Sequence, residues 1–167
     1  GTGGLGVIGC HSFDPVFRAL KLGAPLSVEA TSTRVNEETY PLASMVTYHF
    51  PARDTMPPVK LVWYDGGIRP ARPPELEDGL EMGPTGALLI GDKGKLISQR
   101  MRWSLLPEKL AMEYGRPPKK LERSPGHFVE WINACKGGKE KPGSNFDWAG
   151  PLTEAVLLGN IALRLKL

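Results

Sequence analysis

The chain has 167 residues, 41% hydrophobic and 23% charged, with a formal net charge of +3, which is ordinary for a folded domain and suits one domain better than a two-domain enzyme. No apolar run approaches the roughly 20 residues that cross a bilayer, so no membrane partner is expected. Its one basic cluster, Lys119, Lys120 and Arg123, has no aromatics interleaved, which argues against nucleic acid.

The opening stretch, GTGGLGVIGCHSFDP, sets Gly1, Gly3 and Gly6 at the G-x-G-x-x-G spacing of a dinucleotide loop, with Glu29 where a ribose-binding acid would stand. A true fingerprint leaves a strand and enters a helix at its last glycine. No strand comes ahead of Gly1 in this sequence, and the helix start is placed instead at Asp14-Pro15, a cap residue before a proline whose missing N–H costs nothing there. Phe13, Val16, Phe17 and Leu20 keep helical spacing, predicting a helix over 14–22. An acidic residue at that mouth would repel pyrophosphate, so the glycines read as a decoy. A chain that opens on such a run without Met is expected to be part of something longer. Cys10 and Cys135 are too few for a zinc pattern or a disulfide framework and read as small core residues.

Alternation takes over next. Leu26, Val28 and Ala30, then Leu42, Ser44, Val46, Tyr48 and Phe50, then Val59, Leu61 and Trp63, each bounded by Pro, Asn or Gly, predict antiparallel strands. WYDGG at 63–67 ends the third, and the proline-rich stretch to Pro84 reads as a long surface loop of the kind that often carries function. GALLIGDKGKLISQ predicts a hairpin turning at Asp92-Lys93-Gly94. Glu108 to Tyr114 is a short amphipathic piece. Ser124-Pro125 opens a helix whose Phe128, Trp131, Ile132 and Cys135 form one stripe, ending at Gly137-Gly138. The last helix is placed from Pro151, and its near-continuous apolar residues call for cover on all sides, from a partner or missing domain or from the 107–114 segment. The expected class is α+β, with about six strands in one open, largely antiparallel sheet and helices mainly on one face.

Among titratable residues His11, flanked by small residues and near Asp14, suits a proton carrier at neutral pH. A purely local bond to backbone is the other reading of the same residue. His49 and His127 show no constellation and read as structural or exposed.

GTGGLGVIGCHSFDPVFRALKLGAPLSVEA, WYDGG, IGDKGKL, SPGHFVEWINACKGG and GSNFDWAGPLTEAVLLGNIALR together resemble the C-terminal domain of the Gfo/Idh/MocA oxidoreductases, the glucose-fructose oxidoreductase and inositol dehydrogenase family. The likeness runs over nearly the whole chain. It implies an N-terminal Rossmann domain, outside this sequence, that binds NAD or NADP, followed by the α+β domain present here, which closes the substrate pocket and mediates homo-oligomer formation. The implied chemistry is reversible hydride transfer between nicotinamide and a hydroxyl-bearing carbon of a sugar or polyol. The domain alone, without its cofactor cradle, is expected to be inactive. The family's catalytic lysine belongs to a Glu-Lys-Pro motif, which this sequence does not contain.

The resemblance also assigns residues. His11 falls on the histidine of the family's Asp-x-x-x-His signature and becomes the catalytic candidate, while Val7 stands on its aspartate. Valine can neither orient an imidazole nor raise its basicity, so either the activity is altered or lost, or Asp14 takes that part. Asp14, Tyr64, Asp65 and Arg69 are the substrate-contact candidates, since aromatic and polar groups together with Trp63 suit a sugar; the plainer reading puts Trp63 in the core and the rest on a loop surface. Asn145 and Asp147 read as fixing their own loop. The alternative function is a non-catalytic binding or oligomerisation domain of the same fold.

Overall fold

A computed structural model describes residues 1–99 and 102–165. In chain order it contains α1 (Gly3–Leu20), β1 (Ser27–Ser32), β2 (Ser44–Phe50), β3 (Val59–Asp65), β4 (Gly86–Gly91), β5 (Gly94–Gln99), β6 (Arg102–Leu106), α2 (Glu108–Tyr114), α3 (His127–Cys135) and α4 (Phe146–Leu165). The fold is α+β and every strand pairing is antiparallel. The strands form two three-stranded sheets, β1-β2-β3 and β4-β5-β6, where a single sheet was expected. Alternation reveals which residues face a core but not which strands share one.

The chain divides into two compact units, one holding Gly1–Ile68 and the chain from Leu121 onward, the other Arg69–Lys120. In the first, β2 is the central strand. Ser44, Val46, Tyr48 and Phe50 are buried on one face, and Met45, Thr47 and His49 are half-buried on the other, the period of two that a pleated strand imposes. α1 and α4 cover the buried face. Phe13 meets Tyr48 edge-on at 5.4 Å and Phe17 meets Phe50 likewise at 5.6 Å. Burial of each such side chain contributes about 1.5–3 kcal/mol.

The first helix begins at Gly3, well before the predicted start at Asp14. By propensity a run of glycines should end a helix; here close approach requires them. A Cβ on Gly9 would lie 3.0 Å from Val156, and one on Gly159 would lie 2.1 Å from the Tyr48 hydroxyl and 2.7 Å from Leu5. The two helix backbones therefore meet where side chains would hold them apart. Pro15, predicted at a first turn, lies inside α1. It has no N–H to give the carbonyl of His11 four residues back, and burial of its neighbours Phe13, Val16 and Phe17 offsets that loss.

Two further expectations are corrected. Cys10 and Cys135 are exposed, because both lie on the outer sides of their helices. α4 starts at Phe146, with Pro151 inside it, since Asn145 supplies the turn that nucleates it: its side-chain oxygen accepts from the Asp147 N–H at 3.0 Å and its carbonyl from the Ala149 N–H at 2.8 Å. Only one stripe of α4 is covered, through Leu152, Ala155, Val156, Gly159, Ala162 and Leu163, whereas Leu157, Ile161 and Leu165 are exposed. α3 buries no residue, and Phe128 and Trp131 are 72% and 66% exposed.

In the second unit β4 and β5 form the expected hairpin around Asp92-Lys93, with Gly91 opposite Gly94. The long loop of 66–85 has neither helix nor strand. Its portion within this unit is nonetheless ordered. Leu76 is buried with Ile97 and Leu106, and the Arg72 guanidinium donates to the carbonyls of Leu76 (2.7 Å), Glu77 (2.6 Å) and Leu80 (3.4 Å). Lys95 grips Glu75 at 2.5 and 2.6 Å, holding that carboxyl below its usual range. Among the described residues no helix is long and apolar enough to cross a membrane.

Candidate functional site

α1 buries the row Leu5, Gly9, Phe13, Val16 and Phe17 and turns Val7, Ile8 and His11 outward. Val7 and His11 are one helical turn apart on one face, as a spacing of four dictates. Val7 is 63% and Ile8 44% exposed, so the imidazole sits in a small apolar patch at the surface. Among the described residues His11 has no hydrogen-bond or ion-pair partner.

Asp14 is engaged elsewhere. The Trp148 indole N–H donates to its Oδ1 at 2.6 Å, and Arg18 approaches the carboxylate at 3.4 Å. Arg18 also lies 4.1 Å over the Trp148 ring and donates to the Gly143 carbonyl at 2.7 Å. The Gly143 N–H in turn donates to Glu130 at 2.8 Å, and Glu130 also accepts from Ser124. These bonds, with the charges of His127 and Arg18 behind them, hold the Glu130 carboxyl below its ordinary range. The cluster fastens α1, α3 and the start of α4 together. Asp14 therefore has its carboxylate committed to structure, and among the described residues no carboxylate attends His11.

The remaining candidates separate. Trp63 and Asp65 share the face of β3 that meets α1, with Trp63 6.0 Å from Phe13. Tyr64, between them, points to the opposite face and is paired across the sheet with Met45. Asp65 lies at the beginning of α1: its Oδ1 accepts from the Gly66 N–H at 2.7 Å, and Oδ2 would stand 2.7 Å from a Cβ on Gly4. Gly4 and His11 are roughly 10 Å apart along the axis at 1.5 Å per residue, so Asp65 and His11 do not share a first contact shell. Arg69 belongs to the second unit, where it donates to the Met82 carbonyl at 3.1 Å. Asn145 caps its own loop, as read from the sequence, and Asp147 pairs with Lys141 at 2.5 Å, each holding the other charged.

The opening glycines can now be placed. Gly3, at φ 61, lies against the Tyr40 ring, and Gly4 lies against the Asp65 carboxylate. An aromatic ring and a carboxylate thus occupy the ground where a pyrophosphate would sit, and the positive end of the helix dipole already faces a negative group. The acid at the mouth of α1 is Asp65 rather than Asp14. Tyr40 is pushed above its ordinary range by burial and by the charge of Asp65, opposed by its bond to Ser44.

Sequence reasoning missed Trp148, Arg18, Glu130 and Gly143. The spacing of four between Asp14 and Arg18 is a visible signal for an ion pair; the indole that arrives from the far end of the chain has none. Among the described residues no group of three His, Cys, Asp or Glu could hold a metal ion. No protein-family profile matches the chain, and no curated protein is similar to it.

Proposed function

We propose that this chain is the C-terminal, substrate-closing domain of an NAD(P)-dependent oxidoreductase acting on a sugar or polyol hydroxyl, of the Gfo/Idh/MocA kind. The observation that supports it best is the outward row of α1: His11 stands with Val7 and Ile8 on a surface patch, free of any structural bond, where a covering domain would bring a cofactor and substrate to it. In this reading the nucleotide belongs to that other domain, since the opening glycines of α1 face the Tyr40 ring and the Asp65 carboxylate. In this reading His11 orients the reacting hydroxyl through its imidazole. With Val7 beside it in place of a carboxylate, the imidazole has weak support as a base.

The test is made on the polypeptide in its full encoded length, by following nicotinamide reduction over a panel of polyols. His11→Asn is expected to lower kcat by about 10²-fold or more, and Val7→Asp to shift the pH profile of the residual rate through its carboxylate at one helical turn. A protein that binds no nicotinamide, or turnover indifferent to His11→Asn, would rule the reading out. The second reading, a non-catalytic binding or oligomerisation domain, is favoured by the absence of a carboxylate partner for His11 among the described residues. Cofactor binding with no turnover on any polyol would select it.

A further inference from the structure

β1 is an edge strand, with β2 as its one strand neighbour among the described residues. The Thr33 N–H donates to the Ala43 carbonyl at 2.9 Å. Because antiparallel bonds alternate, Thr31 and Glu29 also direct their backbone groups at β2, whereas Val28, Ala30 and Ser32 direct theirs away from the sheet. Free edges are normally guarded by Lys, Pro or charge. The opposite edge, β3, carries Lys60 and Asp65 and follows Pro57-Pro58; β1 follows Pro25 and has one charge, Glu29, whose backbone is turned to β2, so the outward-bonding positions Val28, Ala30 and Ser32 carry none.

Two more observations meet at this edge. A groove of about 550 Å³ runs beside it, lined by Ala30, Ser32, Arg34, Val35 and Leu163. A small crevice continues it through the shared Val35 and Leu163 and is lined by Gly1, Tyr40 and Asn160. The Nδ2 of Asn160 is fully buried there and has no hydrogen-bond partner, a costly state unless an acceptor reaches it.

We propose that this edge receives an extended strand contributed by the domain placed ahead of Gly1 above. The strand pairs with the outward backbone groups of Val28, Ala30 and Ser32, lies in the groove against Leu163, and offers a backbone carbonyl to Asn160 Nδ2. The inference rests on the reading of this chain as the second domain of a longer protein, but not on that protein being an enzyme. The occupant is backbone because the strand edge along the groove offers a row of alternating donors and acceptors, with Arg34 the one charged residue among those lining it. Gly1 at the crevice puts the start of the described chain at one end of the same channel.

Amide hydrogen exchange on the full encoded protein, resolved by residue, tests it. The amides of Glu29 and Thr31, bonded to β2, serve as the internal measure of folding. Those of Val28, Ala30 and Ser32 are expected to be slowed at least 100-fold relative to an unstructured chain, comparably to the first set. Asn160→Ala is expected to speed the outer set while leaving the inner set unchanged. Outer amides that exchange freely beside protected inner ones would overturn the inference, as would an encoded polypeptide that begins at Gly1. Outer protection that rises with protein concentration would also overturn it, because it assigns the edge to a second copy. Nicotinamide binding measured on the same sample separates the two claims: protected edge amides without cofactor binding keep the strand and discard the oxidoreductase.

Discussion

Gly159 and Gly150 lie on the same helix and should answer the same substitution to different degrees. A Cβ on Gly159 would stand 2.1 Å from the Tyr48 hydroxyl and 2.7 Å from Leu5, both in the core, whereas one on Gly150 meets nothing within 4 Å. Gly159→Ala is expected to destabilise by about 1–3 kcal/mol through overpacking. Gly150→Ala is expected to change stability by less than about 0.5 kcal/mol, because the ordinary gain of alanine inside a helix is offset by the crowding of its Cβ against the ring of Pro151, which follows it. Urea midpoints at constant m-value read both. If both variants gained stability, the contact with Tyr48 would not be as close as described. The same contrast explains how much of the site was legible. The spacing of four between Val7 and His11 reads directly from the sequence, because it needs only the helix period. The commitment of Asp14 to Trp148 does not, because it depends on where α4 begins in space.

At the scale of elements, legibility followed local physics. β2 was readable because Ser44, Val46, Tyr48 and Phe50 alternate with half-buried neighbours, and the hairpin at Asp92-Lys93 because its turn chemistry is local. The first turns of α1 were not, since what favours glycine there is the approach of Tyr40, Asp65 and Val156. The loop between β3 and β4 was read as surface for its prolines, yet Arg72 organises it from within. Its planar fork reaches carbonyls at Leu76, Glu77 and Leu80 together, a geometry that a lysine ammonium cannot reproduce. Arg72→Lys should therefore loosen the loop despite keeping the charge. Cleavage by a Glu-specific protease after Glu77 is expected to accelerate about tenfold, the consequence of losing one charged hydrogen bond's worth of local stability. An unchanged cleavage rate would mean that Leu76 burial and the Lys95–Glu75 pair hold the loop without Arg72.

For the molecule as a whole, the two units rest on different cores and should differ in their response to alkali. The second unit's buried cluster is Leu76, Ile97 and Leu106, which has nothing to titrate. The first is built around Tyr48, which is fully buried among Phe13, Phe50 and Gly159 and donates to the Val156 carbonyl at 3.3 Å. Burial, chiefly, raises its phenol above the ordinary 10.0. A phenol that resists ionisation in the folded state ionises more readily once unfolded, so below pH 10 it leaves stability unchanged, and as pH climbs past 10 the unfolded state is increasingly favoured. Tyr40, raised by burial in the same direction, adds to the slope. The urea midpoint of the first unit, followed through the β2 amides, should accordingly fall between pH 8 and pH 11. Tyr48→Phe should reduce that fall without abolishing it, Tyr40 and Lys141 contributing to the remainder, while costing about 1 kcal/mol at neutral pH for the lost bond. A variant whose stability declines with pH as steeply as the parent's would show that Tyr48 reaches solvent before the unit unfolds, and that the packing of α1 and α4 over β2 opens locally first.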